Sequence, residues 1–203
     1  KNLKDEIEAH YNNWYLTSMA LGWGKFIEPT GGLLTNWKID KISNQYRFFD
    51  RNVLPWIEGG DNRRAFVIIS DAFRYEAAEE LTSELNGRYR FEATLTSQLG
   101  VLPSYTALGM ASLLHGKSSA AGERNGILKA VGGLACKSND LIAKKKEDGR
   151  EFVKDKRVVY IYHNTVDATG DSSSTEGKTF EAVRNAIDEL ASLVTYIVNN
   201  LNG

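Results

Sequence analysis

Two short, uninterrupted apolar runs constrain the fold of this 203-residue chain more than any other feature. Residues 65–69 read Ala-Phe-Val-Ile-Ile, residues 158–162 read Val-Val-Tyr-Ile-Tyr, and a polar residue follows each run at once. Such runs are typical of strands buried on both faces of a parallel sheet. A helical pattern over 73–85 and an alternating pattern over 89–95 follow the first run, which predicts a β-α-β unit. The chain is therefore predicted to have an α/β fold with a mostly parallel sheet.

Helical patterns precede the first run. Over the first thirty residues, apolar side chains recur at three- and four-residue intervals behind a potential capping residue, Asn2. A second pattern starts near Trp37 and is expected to break at Pro55. We interpret the four tryptophans of these segments as core residues. The predicted division is a helical segment over 1–64 and an α/β domain over 65–203.

The remainder of the chain is less regular. Helices are predicted over 103–114, around 127–134 and over 180–201. The mixed-charge stretch 137–157 is interpreted as a solvated face or mobile insertion, and 164–178 as a polar loop. Because the last helix would be followed by another strand in a β/α alternation, the sheet is expected to continue beyond Gly203. The start at Lys1 likewise predicts that the sequence is a piece of a longer protein.

The composition excludes several classes of protein. With 42% hydrophobic and 25% charged residues, it is that of a globular domain and not of a disordered or collagen-like chain. The net charge of -1 does not indicate nucleic-acid binding. No apolar run approaches the ~20 residues of a membrane span. The single cysteine, Cys136, cannot form an internal disulfide, which favours a reducing compartment and predicts a cytoplasmic protein.

Polar side chains gather at the predicted carboxyl ends of the strands, where ligands bind in open α/β sheets. Asp71 follows the first strand, Ser104 and Thr106 lie between the second strand and its helix, and His163 and Asp167 follow the third. Carboxylates and imidazole are ligands of zinc and manganese, and a hydroxyl at a helix N-terminus can approach a phosphate. One hypothesis is therefore a metal-assisted phosphoryl-transfer site. The alternative is that Asp71 is a helix cap and that His163 and Asp167 form a hydrogen-bonded pair.

A second phosphate-binding signal is weaker. Ala111, followed four residues later by Gly116-Lys117-Ser118, resembles a relaxed P-loop. A P-loop requires a strand before it and a helix after it. Here a predicted helix precedes the motif, and alanine replaces the first glycine. A nucleotide-binding ATPase is therefore not favoured.

Three stretches of the sequence, 67–78, 102–110 and 160–171, resemble the PglZ domain of the alkaline phosphatase superfamily, best known from bacterial BREX phage-exclusion systems. The resemblance implies a three-layer α/β/α sandwich and a metal-dependent phosphatase or phosphodiesterase. Zinc is the usual metal, with manganese as an alternative. By position, the resemblance implies metal ligands at Asp71, His163, Asp167 and Asp171 and a nucleophilic hydroxyl on Thr106 or Ser104. The implied partners are other components of a phage-defence complex and a phosphate ester substrate.

The sequence departs from the superfamily pattern in two ways. The superfamily completes its metal site with an Asp-His-Gly motif and usually a further histidine, whereas this chain has neither, and its histidines are His10, His115 and His163. The segment after Leu114 also looks shortened. The resemblance therefore implies an incomplete metal site and an inactive isolated chain. The alternative function is a catalytically inactive scaffold or binding module of the same defence system.

Overall fold

A computed structural model describes residues 2–28, 31–60, 63–114, 133–144, 146–171 and 176–201. The chain divides into two compact units, Lys1–Ser43 and Asn44–Gly203. Among the residues described, no helix is both long enough and apolar enough to cross a membrane.

The first unit is helical, as predicted. Helix α1 (Leu3–His10) continues through a π-helical segment (Tyr11–Leu16) into α2 (Thr17–Ile27), and α3 (Leu33–Asn36) follows. Asn2 caps α1, because its Oδ1 accepts a hydrogen bond from the amide of Lys4 at 3.4 Å.

The tryptophans are not core residues, and that prediction is wrong. Trp14 is 68% exposed, Trp23 and Trp56 are also exposed, and Trp37 is half-buried. Apolar residues occupy most positions around the helix over 11–27. Helix α3 contacts α2 in the same unit, but its four residues are too few to cover these side chains.

The second predicted helix starts later than expected and does not break at Pro55. A two-residue strand, β1 (Ser43–Asn44), is followed by a 3₁₀ turn (Gln45–Arg47), a π-helical segment (Phe49–Val53) and α4 (Leu54–Glu58). Trp37 has a left-handed backbone, with φ of 39°, which prevents a helix from starting there. Pro55 lies in the first turn of α4, where a missing amide hydrogen costs little.

The central sheet is parallel, as predicted. The strands that follow β1 in the described residues are β2 (Ala65–Ser70), β3 (Gln98–Leu99), β4 (Gly133–Lys137) and β5 (Val158–His163). The three longer ones form a sheet in the order β2-β5-β4. Ser70 pairs in register with His163, and Lys137 pairs with Tyr162. Strand β4 was not predicted, and Leu134 belongs to this strand instead of a helix. Gly133 also belongs to β4, and residues 127–132 of that predicted helix lie outside the described ones.

The predicted strand over 89–95 does not form, because other groups satisfy its backbone. The amide of Phe91 donates to the carbonyl of Leu85 at 2.9 Å. The Asn86 side chain accepts from the amide of Ala93 at 2.7 Å and donates to its carbonyl at 2.9 Å. An amide side chain thus takes the bonds that a neighbouring strand would have supplied. The β-α-β unit was therefore predicted with the wrong second strand.

Seven further helical segments complete the described part of the second unit: α5 (Tyr75–Gly87), α6 (Thr106–Ser112), α7 (Ser138–Ile142), α8 (Lys146–Phe152), α9 (Thr165–Gly170), a 3₁₀ turn (Glu176–Lys178) and α10 (Thr179–Asn200). The prediction of a solvated stretch over 137–157 is wrong, because Leu141 and Val153 anchor it in the core. The polar loop predicted over 164–178 contains α9. Helix α10 is confirmed, although Phe180, predicted for its apolar stripe, is 91% exposed.

Hydrophobic clusters cover both faces of the sheet. Alternate residues of β5 point to opposite faces, so that Tyr160 packs with Phe49 and Ile161 packs with Leu193. Helices therefore lie on both sides of the parallel strands. This arrangement confirms the predicted three-layer α/β/α sandwich.

Replacement of Gly149 with alanine is expected to destabilise the protein by about 1–3 kcal/mol. Gly149 is buried in α8, and an added Cβ would clash with the Tyr196 hydroxyl and lie 3.2 Å from Leu201 Cδ2. Tyr196 is held in place because its hydroxyl donates to the Lys144 carbonyl at 3.2 Å. Urea unfolding of the chain would measure the effect. Gly87→Ala is the control, since its Cβ meets no atom within 4 Å, and equal stability of both variants would contradict the prediction.

Candidate functional site

Asp71 lies directly after β2, at the carboxyl edge of the sheet. Its amide donates to the His163 carbonyl at 3.0 Å, and its Oδ1 accepts from the Ala72 amide at 3.0 Å. The pKa of Asp71 is raised, first by burial and then by the negative charge of Asp167 and, less strongly, of Asp171. Asp71 does not cap a helix, because the residue before α5 is Arg74. The charges of two predicted carboxylates, Asp167 and Asp171, thus act on the third, Asp71.

His163, the last residue of β5, is 4% exposed and is hydrogen-bonded at both ring nitrogens. Its Nδ1 lies 2.8 Å from Ser70 Oγ, and its Nε2 lies 2.8 Å from Glu189 Oε2. Thr165 Oγ1 donates to the same Glu189 oxygen at 2.6 Å. The imidazole is therefore held between β2 and α10 by protein groups. The predicted pairing with Asp167 is replaced by a pairing with Glu189.

Two cavities open beside Asp71. The larger, of about 650 Å³, is lined by Asp71, Thr106, Lys137, His163 and Asp167 among others. The smaller, of about 410 Å³, is also lined by Asp71 and Thr106, together with Ser104. Asp71 and Thr106 border both cavities, whereas Ser104 borders the smaller one.

The hydroxyl-bearing segment is positioned by Gln45, which the sequence analysis did not identify. Gln45 Nε2 donates to the Gly109 carbonyl at 2.9 Å, and its Oε1 accepts from the Val101 amide at 3.2 Å. One side chain thus connects α6 to the loop before Thr106, the first residue of α6. Gln45 lies more than fifty residues away in sequence, so no local spacing indicates this role.

The side chains at this site have the chemistry of divalent-cation ligands, but too few of the described ones converge to hold a cation. Carboxylates such as Asp71 and Asp167 are suitable oxygen ligands, and a cation would offset the repulsion by Asp167 that, after burial, raises the pKa of Asp71. Among the residues that the structure describes, however, no three His, Cys, Asp or Glu side chains converge to hold a metal ion. The described residues therefore supply only part of a ligand set.

The P-loop-like motif lies partly outside the described residues. Its glycine, lysine and serine at 116–118 lie outside the described residues. The segment before them is α6, a helix, as the sequence predicted, and not the strand that a P-loop requires.

Comparison with known proteins identifies relatives over the whole chain. The family model of the BREX system PglZ alkaline phosphatase-like domain matches residues 48–203. The chain is 46% identical over 221 residues to the alkaline phosphatase-like protein BrxZ of Escherichia coli O9:H4 (strain HS), with all of this chain and 25% of BrxZ covered. It is 35% identical over 218 residues to the alkaline phosphatase-like protein PglZ of Bacillus cereus (strain H3081.97), with 98% of this chain and 25% of that relative covered. The chain thus spans about a quarter of these relatives.

Proposed function

This chain belongs to the PglZ family, the alkaline phosphatase-like domain of BREX systems, and on that premise we propose that it contributes to a metal-dependent phosphoric ester hydrolase of phage defence. The observation that carries the proposal is the position of Asp71 and Thr106 at the border of the same two cavities, at the carboxyl edge of the sheet. The other defence components would be its partners.

The roles of the two hydroxyl residues can be separated by position. Thr106 is the first residue of α6 and borders both cavities, so that a phosphoryl group in either cavity can lie beside it. In-line attack requires the leaving group to lie on the side of the phosphorus opposite to the hydroxyl, and the open space of the cavities allows this. Ser104 borders only the smaller cavity. We therefore assign the nucleophile to Thr106, with Ser104 as a neighbour of the substrate.

A divalent cation, zinc or manganese, would supply charge compensation for the phosphoryl oxygens and for the attacking hydroxyl. Asp71 and Asp167 are the ligands that this chain would contribute, with Asp171 close enough to raise the pKa of Asp71. The His163 ring is oriented by Ser70 and Glu189. The missing ligands are proposed to lie outside the described residues.

Metal removal from the full-length protein is expected to abolish most of its hydrolysis of p-nitrophenyl phosphate or bis(p-nitrophenyl) phosphate. The reason is that the carboxylates at the site repel an anionic ester unless a cation compensates for them. Initial rates after chelation and dialysis should recover at least about tenfold on addition of zinc or manganese. Equal turnover by the chelated and the metal-supplemented protein would contradict the proposal.

A scaffold without catalysis is the second candidate. It is favoured by the absence of three converging metal ligands within the described residues and by the engagement of both His163 nitrogens. Failure of the full-length protein to bind zinc or manganese, measured by elemental analysis after dialysis, together with absence of turnover, would support the scaffold over the enzyme.

We also propose a reducing, cytoplasmic location. The proposal depends on the single cysteine of the chain, Cys136, which is a free thiol in β4. Burial, and then the charge of Asp140, raise the pKa of Cys136 to about 11, so that it is a poorly reactive thiol.

A further inference from the structure

The larger cavity has walls of opposite charge. Asp71 and Asp167 border it beside β2 and α9, whereas Lys137 borders it at the end of β4. Ser138, which is buried, and Asn139, which is exposed, follow Lys137 in the chain and border the cavity as well. An anionic ligand in this cavity is therefore repelled from one wall and attracted to the other.

The sheet sets the distance between the two walls. Strand β5 lies between β2 and β4, and adjacent strands are about 4.8 Å apart, so the strand ends that carry Asp71 and Lys137 are about 10 Å apart. This separation leaves room in the cavity for two substrate groups, one beside Asp71 and Thr106 and the other at the Lys137 wall. Lys137 is suited to a group of the substrate other than the phosphate that is attacked.

The Lys137 ammonium is available for such a group. Lys137 is exposed, and it forms no ion pair with a described carboxylate. Other exposed lysines, such as Lys154, lie within 4 Å of a glutamate and do not border this cavity. A lysine that has no ion-pair partner among the described residues and that lies at the rim of a cavity with two carboxylates is suited to bind a phosphate.

We propose that Lys137, with Ser138 and Asn139, forms a subsite for a second phosphate, so that the substrate is a phosphate ester carrying another phosphate that is not cleaved. The inference depends on the proposed hydrolase function for its kinetic consequences, but the binding of a bisphosphate does not require turnover. The subsite sets the direction of the substrate, because its second phosphate lies at the Lys137 wall and its scissile phosphate lies at Thr106.

The test compares two esters that differ by one phosphate. Thymidine 5′-(p-nitrophenyl phosphate) and the same compound with a 3′-phosphate are given to the full-length protein with zinc or manganese. The wild type is expected to have a kcat/KM about tenfold higher for the 3′-phosphorylated ester, which is the size of effect expected of one charge-assisted contact. Lys137→Gln should reduce this ratio to about one, and Lys137→Arg should retain most of it.

A binding measurement separates this inference from the proposed function. Titration calorimetry with thymidine 3′,5′-bisphosphate and thymidine 5′-monophosphate should give the same preference for the bisphosphate, and Lys137→Gln should remove it even if no ester is hydrolysed. Lys154→Gln is the matched control and should retain the preference. A wild type without any preference, or a preference that survives in Lys137→Gln, would overturn the inference.

Discussion

Thr106→Ala in the full-length protein is expected to lower kcat for aryl phosphate esters by about 10³-fold or more, because a covalent route has no substitute for its attacking hydroxyl. Thr106 borders both cavities together with Asp71, and its side chain lies at the surface of the site and not in the core. The fold should therefore survive the substitution. Steady-state kinetics with bis(p-nitrophenyl) phosphate would measure the loss, and circular dichroism would verify the fold.

Two further variants test whether Thr106 or Ser104 is the nucleophile. Ser104→Ala removes a hydroxyl that borders only the smaller cavity, and it is expected to lower kcat by less than about tenfold. Thr106→Ser retains the hydroxyl and should retain measurable turnover. A larger loss for Ser104→Ala than for Thr106→Ala would move the nucleophile to Ser104. Full turnover in both alanine variants would exclude Thr106 and Ser104 as the nucleophile.

Phe49→Ala is expected to lower the free energy of unfolding by about 3–5 kcal/mol, the range for truncation of a buried phenylalanine. Phe49 is 1% exposed and packs against Val53, Val67 and Tyr160, on the face of the sheet opposite to α10. Its removal would leave a cavity between the helical segment 49–58 and β2. Urea unfolding of the chain, followed by far-ultraviolet circular dichroism, would measure the change.

Tyr46→Ala is the matched control for Phe49→Ala. Tyr46 is an aromatic residue three positions earlier, in the 3₁₀ turn Gln45–Arg47, and its side chain is exposed. Its truncation is expected to change the free energy of unfolding by no more than about 0.5 kcal/mol. If Phe49→Ala and Tyr46→Ala were equally stable, the packing of Phe49 in the core would be contradicted.

The strands that could be predicted from the sequence are those whose hydrophobic pattern lies in consecutive residues. Strands β2 and β5 are continuous apolar runs, and burial on both faces of a sheet requires such runs. Strand β4 reads Gly-Leu-Ala-Cys-Lys, in which small residues and a charge hide the pattern, and it was missed. The alternating residues over 89–95 have the pattern of a strand, but Asn86 binds their backbone instead.

The same contrast holds for the candidate site. Asp71 and Thr106 could be proposed from the sequence because parallel strands end at one edge and because their segments resemble PglZ. The structure places both at the same cavities, and their roles stay predictions until activity is measured. The sequence predicted Lys137 to lie in a solvated stretch, because no pattern in the neighbouring residues indicates that β4 ends beside β5.

By itself, the sequence determined the class of fold, the family and the strand ends at which chemistry is expected, because apolar runs and polar motifs are properties of consecutive residues. Only the tertiary structure decided which distant side chains complete the site. Glu189 binds His163 across 26 residues, and Gln45 bridges two segments more than fifty residues away. Such contacts depend on how strands and helices pack in three dimensions, and no spacing along the chain encodes them.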